Sequence, residues 1–98
     1  MKRLLFAAAL VGCAHTDPNV GKRGIWLDCD LPGANIYVDD VYLQHAVRWQ
    51  TQPMPLHPGF HRIEITADGY YTWYGEITVA DVGFQKLMVR LRKAVPSD

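Results

Sequence analysis

The chain has 98 residues, 20% of them charged, and its ten Lys and Arg balance ten Asp and Glu for a formal net charge of zero. That length supports one small domain at most. No basic stripe gives nucleic-acid binding an electrostatic footing, and two cysteines cannot build a disulfide framework.

The first thirteen residues stand apart from the rest. Lys2 and Arg3 form a positive start, Leu4 to Val11 an uncharged apolar run, and Gly12 and Cys13 close it. This is the layout of a secretory signal, and the run is far short of the ~20 apolar residues that a spanning helix needs. Leu10-Val11-Gly12-Cys13 resembles the lipobox of bacterial lipoproteins. The resemblance implies cleavage between Gly12 and Cys13, a diacylglycerol thioether on Cys13 and acylation of the new amino terminus. The expected partner of that end is a membrane, reached through the lipid anchor. Several chains hold far more firmly than one, since each buried methylene contributes ~0.8 kcal/mol. Ala14, where an Asp would signal retention, resembles the signal for export to the outer membrane. Segment 13–23 then reads as the lipidated cysteine and a polar tether broken by Pro18 and Gly21, with a reach on the order of 15–20 Å. With Cys13 lipidated, Cys29 is the remaining thiol.

From residue 24 to 93 the pattern has period two, the mark of half-buried strands. Ile25, Leu27, Cys29 and Leu31 alternate with Trp26, Asp28 and Asp30. Pro32-Gly33 is a predicted turn, Ala34–Val38 a second strand with Ile36 and Val38 on one face and Tyr37 on the other, and Asp39-Asp40 a hairpin turn before Val41–Leu43. Gln44 to Pro55, with Trp49, Pro53 and Pro55, reads as a long loop with room for a short strand after it. Pro58-Gly59 is a turn into Phe60–Ala67, whose His61, Ile63, Ile65 and Ala67 share a face. Asp68-Gly69 turns the chain into a strand where Tyr71, Trp73, Ile77 and Val79 alternate with Thr72, Tyr74, Glu76 and Thr78. Asp81–Gly83 leads to the last strand, with Leu87, Val89 and Leu91 inward, and 94–98 is a tail. Short strands at this spacing, with no helical window, predict an all-β fold, a small antiparallel sandwich.

Several of these segments resemble the PEGA domain family. Leu31 to Asp40 resembles its opening turn, strand and hairpin, with Asp40 where Gly is usual. Leu56 to Ile65 resembles its Pro-Gly turn and following strand, Asp68-Gly69-Tyr70 its Gly-Tyr turn, and Leu87 to Leu91 its last strand. The resemblance runs from about Gly24 to Arg92 and departs from the family between Leu43 and Pro53. It implies an immunoglobulin-like or transthyretin-like sandwich and a structural or interaction role in the cell envelope, without established catalytic residues. The turn residues it marks are Pro32, Gly33, Pro58, Gly59, Gly69 and Tyr70. Tyr70 suits a core edge, with its ring covered and its hydroxyl wet.

The search for chemistry yields little. His57 and His61 bracket the Pro58-Gly59 turn without ligand spacing, so His61 reads as a strand-start residue tied to turn backbone rather than a metal ligand. Asp28, Asp30, Asp39 and Asp40 do not form a calcium ligand loop, and such acids favour turns. The sole serine is Ser97 in the tail, which excludes a Ser-His-Asp site. Cys29 faces the core without a basic neighbour to make it a thiolate. The expectation is a non-enzyme with no metal and no small-molecule cofactor. Aromatics are the functional lead: Trp26, Tyr37 and Tyr74 fall outward by parity and Trp49 lies in the loop, so these four are the candidate binding residues. Exposed Trp and Tyr favour protein interfaces. The expected partner is another envelope protein; the alternative is peptidoglycan or another glycan, stacked on Trp49 and the outward aromatics.

Overall fold

The computed structural model describes residues 17–94. Among the described residues seven strands form, β1 (Arg23–Cys29), β2 (Asn35–Val38), β3 (Val41–His45), β4 (Met54–Pro55), β5 (Gly59–Thr66), β6 (Trp73–Val79) and β7 (Gly83–Val89), with a single 3₁₀ turn over Ala46–Trp49. They make two sheets, one ordered β4-β1-β7 and the other β3-β2-β5-β6. The period-two pattern turns one side of each sheet into core, and the two apolar faces pack together as a small sandwich.

β1 buries Ile25, Leu27 and Cys29, β2 Ile36 and Val38, and β5 Ile63 and Ile65, while Val79 and Val89 come from the last two strands. Every strand pair is antiparallel except β1 and β7, which run parallel with Leu27 opposite Leu87 and Cys29 opposite Val89. The antiparallel expectation holds for all but this pair. Hairpin turns force antiparallel neighbours, but nothing local constrains the first and last strands. The Ala80–Val82 link carries the chain from one sheet to the other and sends β7 back alongside β1.

Two boundaries differ from the sequence reading. Arg23, expected at the end of the polar tether, opens β1 and is 5% exposed. Its guanidinium meets the Asp17 carboxylate at 2.8 Å and donates to the Asp81 carbonyl at 3.3 Å. The Lys22 carbonyl also accepts the Gly83 N–H at 2.9 Å. A buried cation needs such partners, and they draw the segment from Asp17 onward onto the domain. At the other end the Ala94 N–H bonds to the Gly69 carbonyl at 2.9 Å, so the sheet interactions extend through that residue.

The irregular stretch after β3 closes one end of the sandwich. Ala46 and Val47 donate to the carbonyls of Ala34 and Pro32 at 2.8 and 2.9 Å, which lays the 3₁₀ turn against the turn after β1. Trp49 follows into the core at 8% exposure, and its indole N–H donates to the Leu43 carbonyl at 2.8 Å. The short strand β4 then pairs with β1 across Gly24 and Ile25. A Cβ on Gly24 would collide with the Met54 carbonyl, so this close approach requires glycine.

Candidate functional site

Strand alternation leaves each sheet with an outer face. On the four-stranded sheet this face is built in rows by register: Tyr42 opposite Tyr37, Tyr37 opposite Glu64, Glu64 opposite Tyr74, and in the next row Arg62 opposite Glu76. Tyr74 is 71% exposed, while Tyr37 is half-buried. The Tyr37 ring is backed by Tyr42 at 5.4 Å between centroids. Tyr42 in turn donates to Asn35 Oδ1 at 3.4 Å and meets the His45 ring edge-on at 6.3 Å. A hollow of about 360 Å³ lies between Tyr37 and Tyr74, with Glu64, Arg62, Glu76 and Asp40 around it.

The charges of this face are unevenly matched. Arg62 is drawn to Asp40 at 2.8 Å, whereas Glu64 and Glu76 form no ion pair among the described residues. The hairpin that carries Asp40 is itself fixed from below. Asp39 and Asp40 both take positive φ, 51° and 70°, the backbone of a tight two-residue hairpin. Asp39 accepts the Arg62 N–H at 2.9 Å and, at 2.6 Å, the Nδ1–H of His61. His61 Nε2–H donates to the His57 carbonyl at 2.7 Å. Both ring nitrogens thus face acceptors, which only the imidazolium satisfies fully. Burial pushes the His61 pKa down, but the Asp39 carboxylate and the His57 carbonyl outweigh it and the net shift is upward. Asp39 is lowered, first by the Arg62 N–H and then by His61. His61 therefore fastens the β2–β3 hairpin to β5, in keeping with its reading as a residue tied to turn backbone.

The outer face of the three-stranded sheet is different. Trp26, 41% exposed, sits opposite Lys86, with Phe84 beside them. Asp28 takes Arg90 at 3.3 Å and Lys86 at 3.9 Å, and Asp30 accepts the Leu91 N–H at 3.1 Å. Of the four aspartates weighed for calcium, Asp39 and Asp40 share the β2–β3 turn and Asp28 and Asp30 lie at the end of β1 with other partners, and no group of three or more His, Cys, Asp or Glu suited to a metal ion occurs among the described residues. Cys29 is buried and free, and burial raises its thiol pKa.

The four candidate aromatics do not form one platform. Tyr37 and Tyr74 share a face, Trp26 lies on the opposite one, and Trp49 is a correction: it is core, because its loop folds inward over the sandwich end and its N–H finds a carbonyl there. Pro32 and Gly33 lie in the turn after β1, and Gly33 has open space around it. Pro58 precedes β5, whose first residue Gly59 has φ +111°, and Gly69 has φ +82° in the turn before Tyr70. Tyr70 packs half-buried against the core and bridges to Lys93. Gly12 and Cys13 lie outside the described residues. Sequence reasoning placed Glu76 on the Tyr74 side of its strand but missed that Glu64 joins this face between the two tyrosines. Cross-strand register, which turn lengths around β5 could have supplied, was the missing signal.

A family model described as the PEGA domain matches residues 24–94. Among curated proteins none matches the chain.

Proposed function

The chain belongs to the PEGA domain family, and we propose on that premise that it is a lipid-anchored interaction module of the cell envelope. Its domain is of a non-catalytic, envelope type. In this reading Cys13 carries the lipid after cleavage behind Gly12, the residues before Asp17 give a short lead from the membrane, and the sandwich docks onto another envelope protein. The observation that carries the docking role is the exposure of Trp26 and Tyr74 on rigid strands, where a packed scaffold holds aromatic anchors at low entropic cost. The glycan alternative loses Trp49, which is buried.

Photo-crosslinking in intact cells tests the docking role. A crosslinkable residue placed at Trp26 or Tyr74 should give a discrete protein adduct, and one at the exposed turn residue Asp68 should not. Equal, diffuse labelling at all three positions overturns the reading. Co-sedimentation with purified cell-wall sacculi and no protein adduct would instead select the wall ligand. The anchor has its own test: intact mass of membrane-extracted protein should lack Met1 to Gly12 and carry acyl chains, and an unmodified Met1 would rule the anchor out.

A further inference from the structure

We infer that the hollow between Tyr37 and Tyr74 receives an arginine side chain from the partner protein. The inference rests on the docking role above and names the chemistry of what docks. Three features of the face point the same way. First, the two tyrosines stand on β2 and β6 with β5 between them, so their strands are separated by two steps of ~4.8 Å, or roughly 10 Å. That gap takes one flat group lying against aromatic surface. Second, Glu64 lies between the rings and Glu76 is its diagonal neighbour on the next strand, at the ~7–8 Å typical of such pairs. A single planar fork reaches both, which a compact ammonium does less well. Third, the cation already on this face does not fill the role: Arg62 is spent on Asp40, and both glutamates are left without an ion pair among the described residues.

The geometry is prepared in advance. Tyr37 is held by Tyr42, which is itself held by Asn35 and His45, so an incoming guanidinium need not order that wall. A cation over a tyrosine face is drawn to the negative face of the ring, and the carboxylates supply the charge-assisted bonds. The outer face around Trp26 offers no such vacancy, since Asp28 is engaged by both Arg90 and Lys86.

The test is an NMR titration of the full chain, held in neutral detergent, with acetyl-Gly-Arg-Gly-amide and with its lysine and glutamate counterparts. Saturable shifts of the Tyr37, Glu64 and Tyr74 amides are expected with the arginine peptide, smaller ones with lysine and none with glutamate. Glu64→Gln should weaken arginine binding about tenfold, Tyr74→Ala two- to fivefold, as roughly expected of a cation–π contact, and Val82→Ala not at all. Glu64 and Tyr74 are on the outer face and Val82 is 60% exposed in the link before β7, and spectral dispersion confirms that each variant folds. No saturable response, or an undiminished one in Glu64→Gln, overturns the assignment. So do shifts that follow the concentration of the chain alone, which would give the hollow to a second copy. A discrete crosslinked partner without an arginine response removes this inference and leaves the docking role standing.

Discussion

The two outer faces of this sandwich are built from the same ingredients, aromatics and charges on alternating strand positions, yet they end in opposite states. Around Trp26 every charge finds a partner on its own face: Asp28 lies against Arg90 and Lys86. Around Tyr74 one pair closes, Arg62 with Asp40, and among the described residues two carboxylates stay open. Composition is not what separates them; register is. On the first face the parallel pairing of β1 and β7 brings basic side chains to an aspartate. On the second the antiparallel pairing of β5 with β2 and β6 puts tyrosines on both sides of Glu64. A face that satisfies its own charges offers a partner its aromatic surface alone, and one that does not is suited to a charged ligand as well.

The comparison breaks most completely when the layer beneath both faces is removed. Trp49→Ala deletes a buried aromatic and its bond to Leu43, at a cost of about 3–5 kcal/mol. That is as much as a domain this small commonly has, about 3–5 kcal/mol. The expected outcome in urea denaturation monitored by far-UV circular dichroism is a chain largely unfolded in water. A folded Trp49→Ala variant that had lost only sugar binding would revive the stacking role instead. Gly24→Ala should break one face alone. Its Cβ meets the Met54 carbonyl, so β4 must leave β1. We expect a loss of about 1–3 kcal/mol, with amide exchange rising at Ile25 and Met54 and staying low at Ile65.

A pH series sharpens the contrast, because the titrating clasp lies under the tyrosine face. Asp39 is held below its ordinary value, chiefly by the Arg62 N–H and then by His61. Its contribution is therefore present above about pH 3.9, the ordinary aspartate value, and is lost as pH falls through the depressed one. His61 is raised despite its burial, by Asp39 and the His57 carbonyl. Its contribution is complete below about pH 6.5, the ordinary histidine value, and is lost as pH rises through the elevated one. Stability should thus be greatest between these limits and decline on the alkaline side. Asp39 is itself well exposed, so screening keeps the effect below about 1 kcal/mol. Thermal melts from pH 5 to 9 should show the decline in the wild-type chain and a flatter profile in Asp39→Asn.

How far the sequence carried this picture depends on the length scale of each cause. Alternation is local, and it sufficed to place Ile25, Leu27 and Cys29 inside, Trp26 and Tyr74 outside, and the turns at Asp39-Asp40 and Asp68-Gly69. Burial of Arg23 and Trp49 carries no such mark. Arg23 depends on the Asp81 carbonyl, 58 residues along the chain, and on the Asp17 carboxylate, six residues back, and Trp49 on the Leu43 carbonyl, also six residues back; alternation signals none of these partners. The parallel pairing of β1 with β7 joins the two ends of the domain and leaves no turn signal. The tyrosine hollow lay between these cases: parity placed Tyr37 and Tyr74 outward, but only register across β5 put them on one face with Glu64 between them.

The smallest prediction separates the two faces by sign. Asp28→Asn removes the negative charge from two exposed ion pairs, each worth about 0–1 kcal/mol, so the melting temperature should fall slightly. Glu64→Gln removes a charge that has no ion-pair partner among the described residues and lies diagonal to Glu76, and relief of like-charge repulsion should leave stability unchanged or slightly higher. Differential scanning at low salt is the right measurement, since added salt screens exposed pairs and should bring the two variants together. If both substitutions destabilise equally at low salt, Glu64 has a partner within the chain, and the difference between the faces disappears. If the signs differ and salt erases the difference, the open carboxylates are a standing electrostatic cost, and a cationic ligand on that face would relieve it.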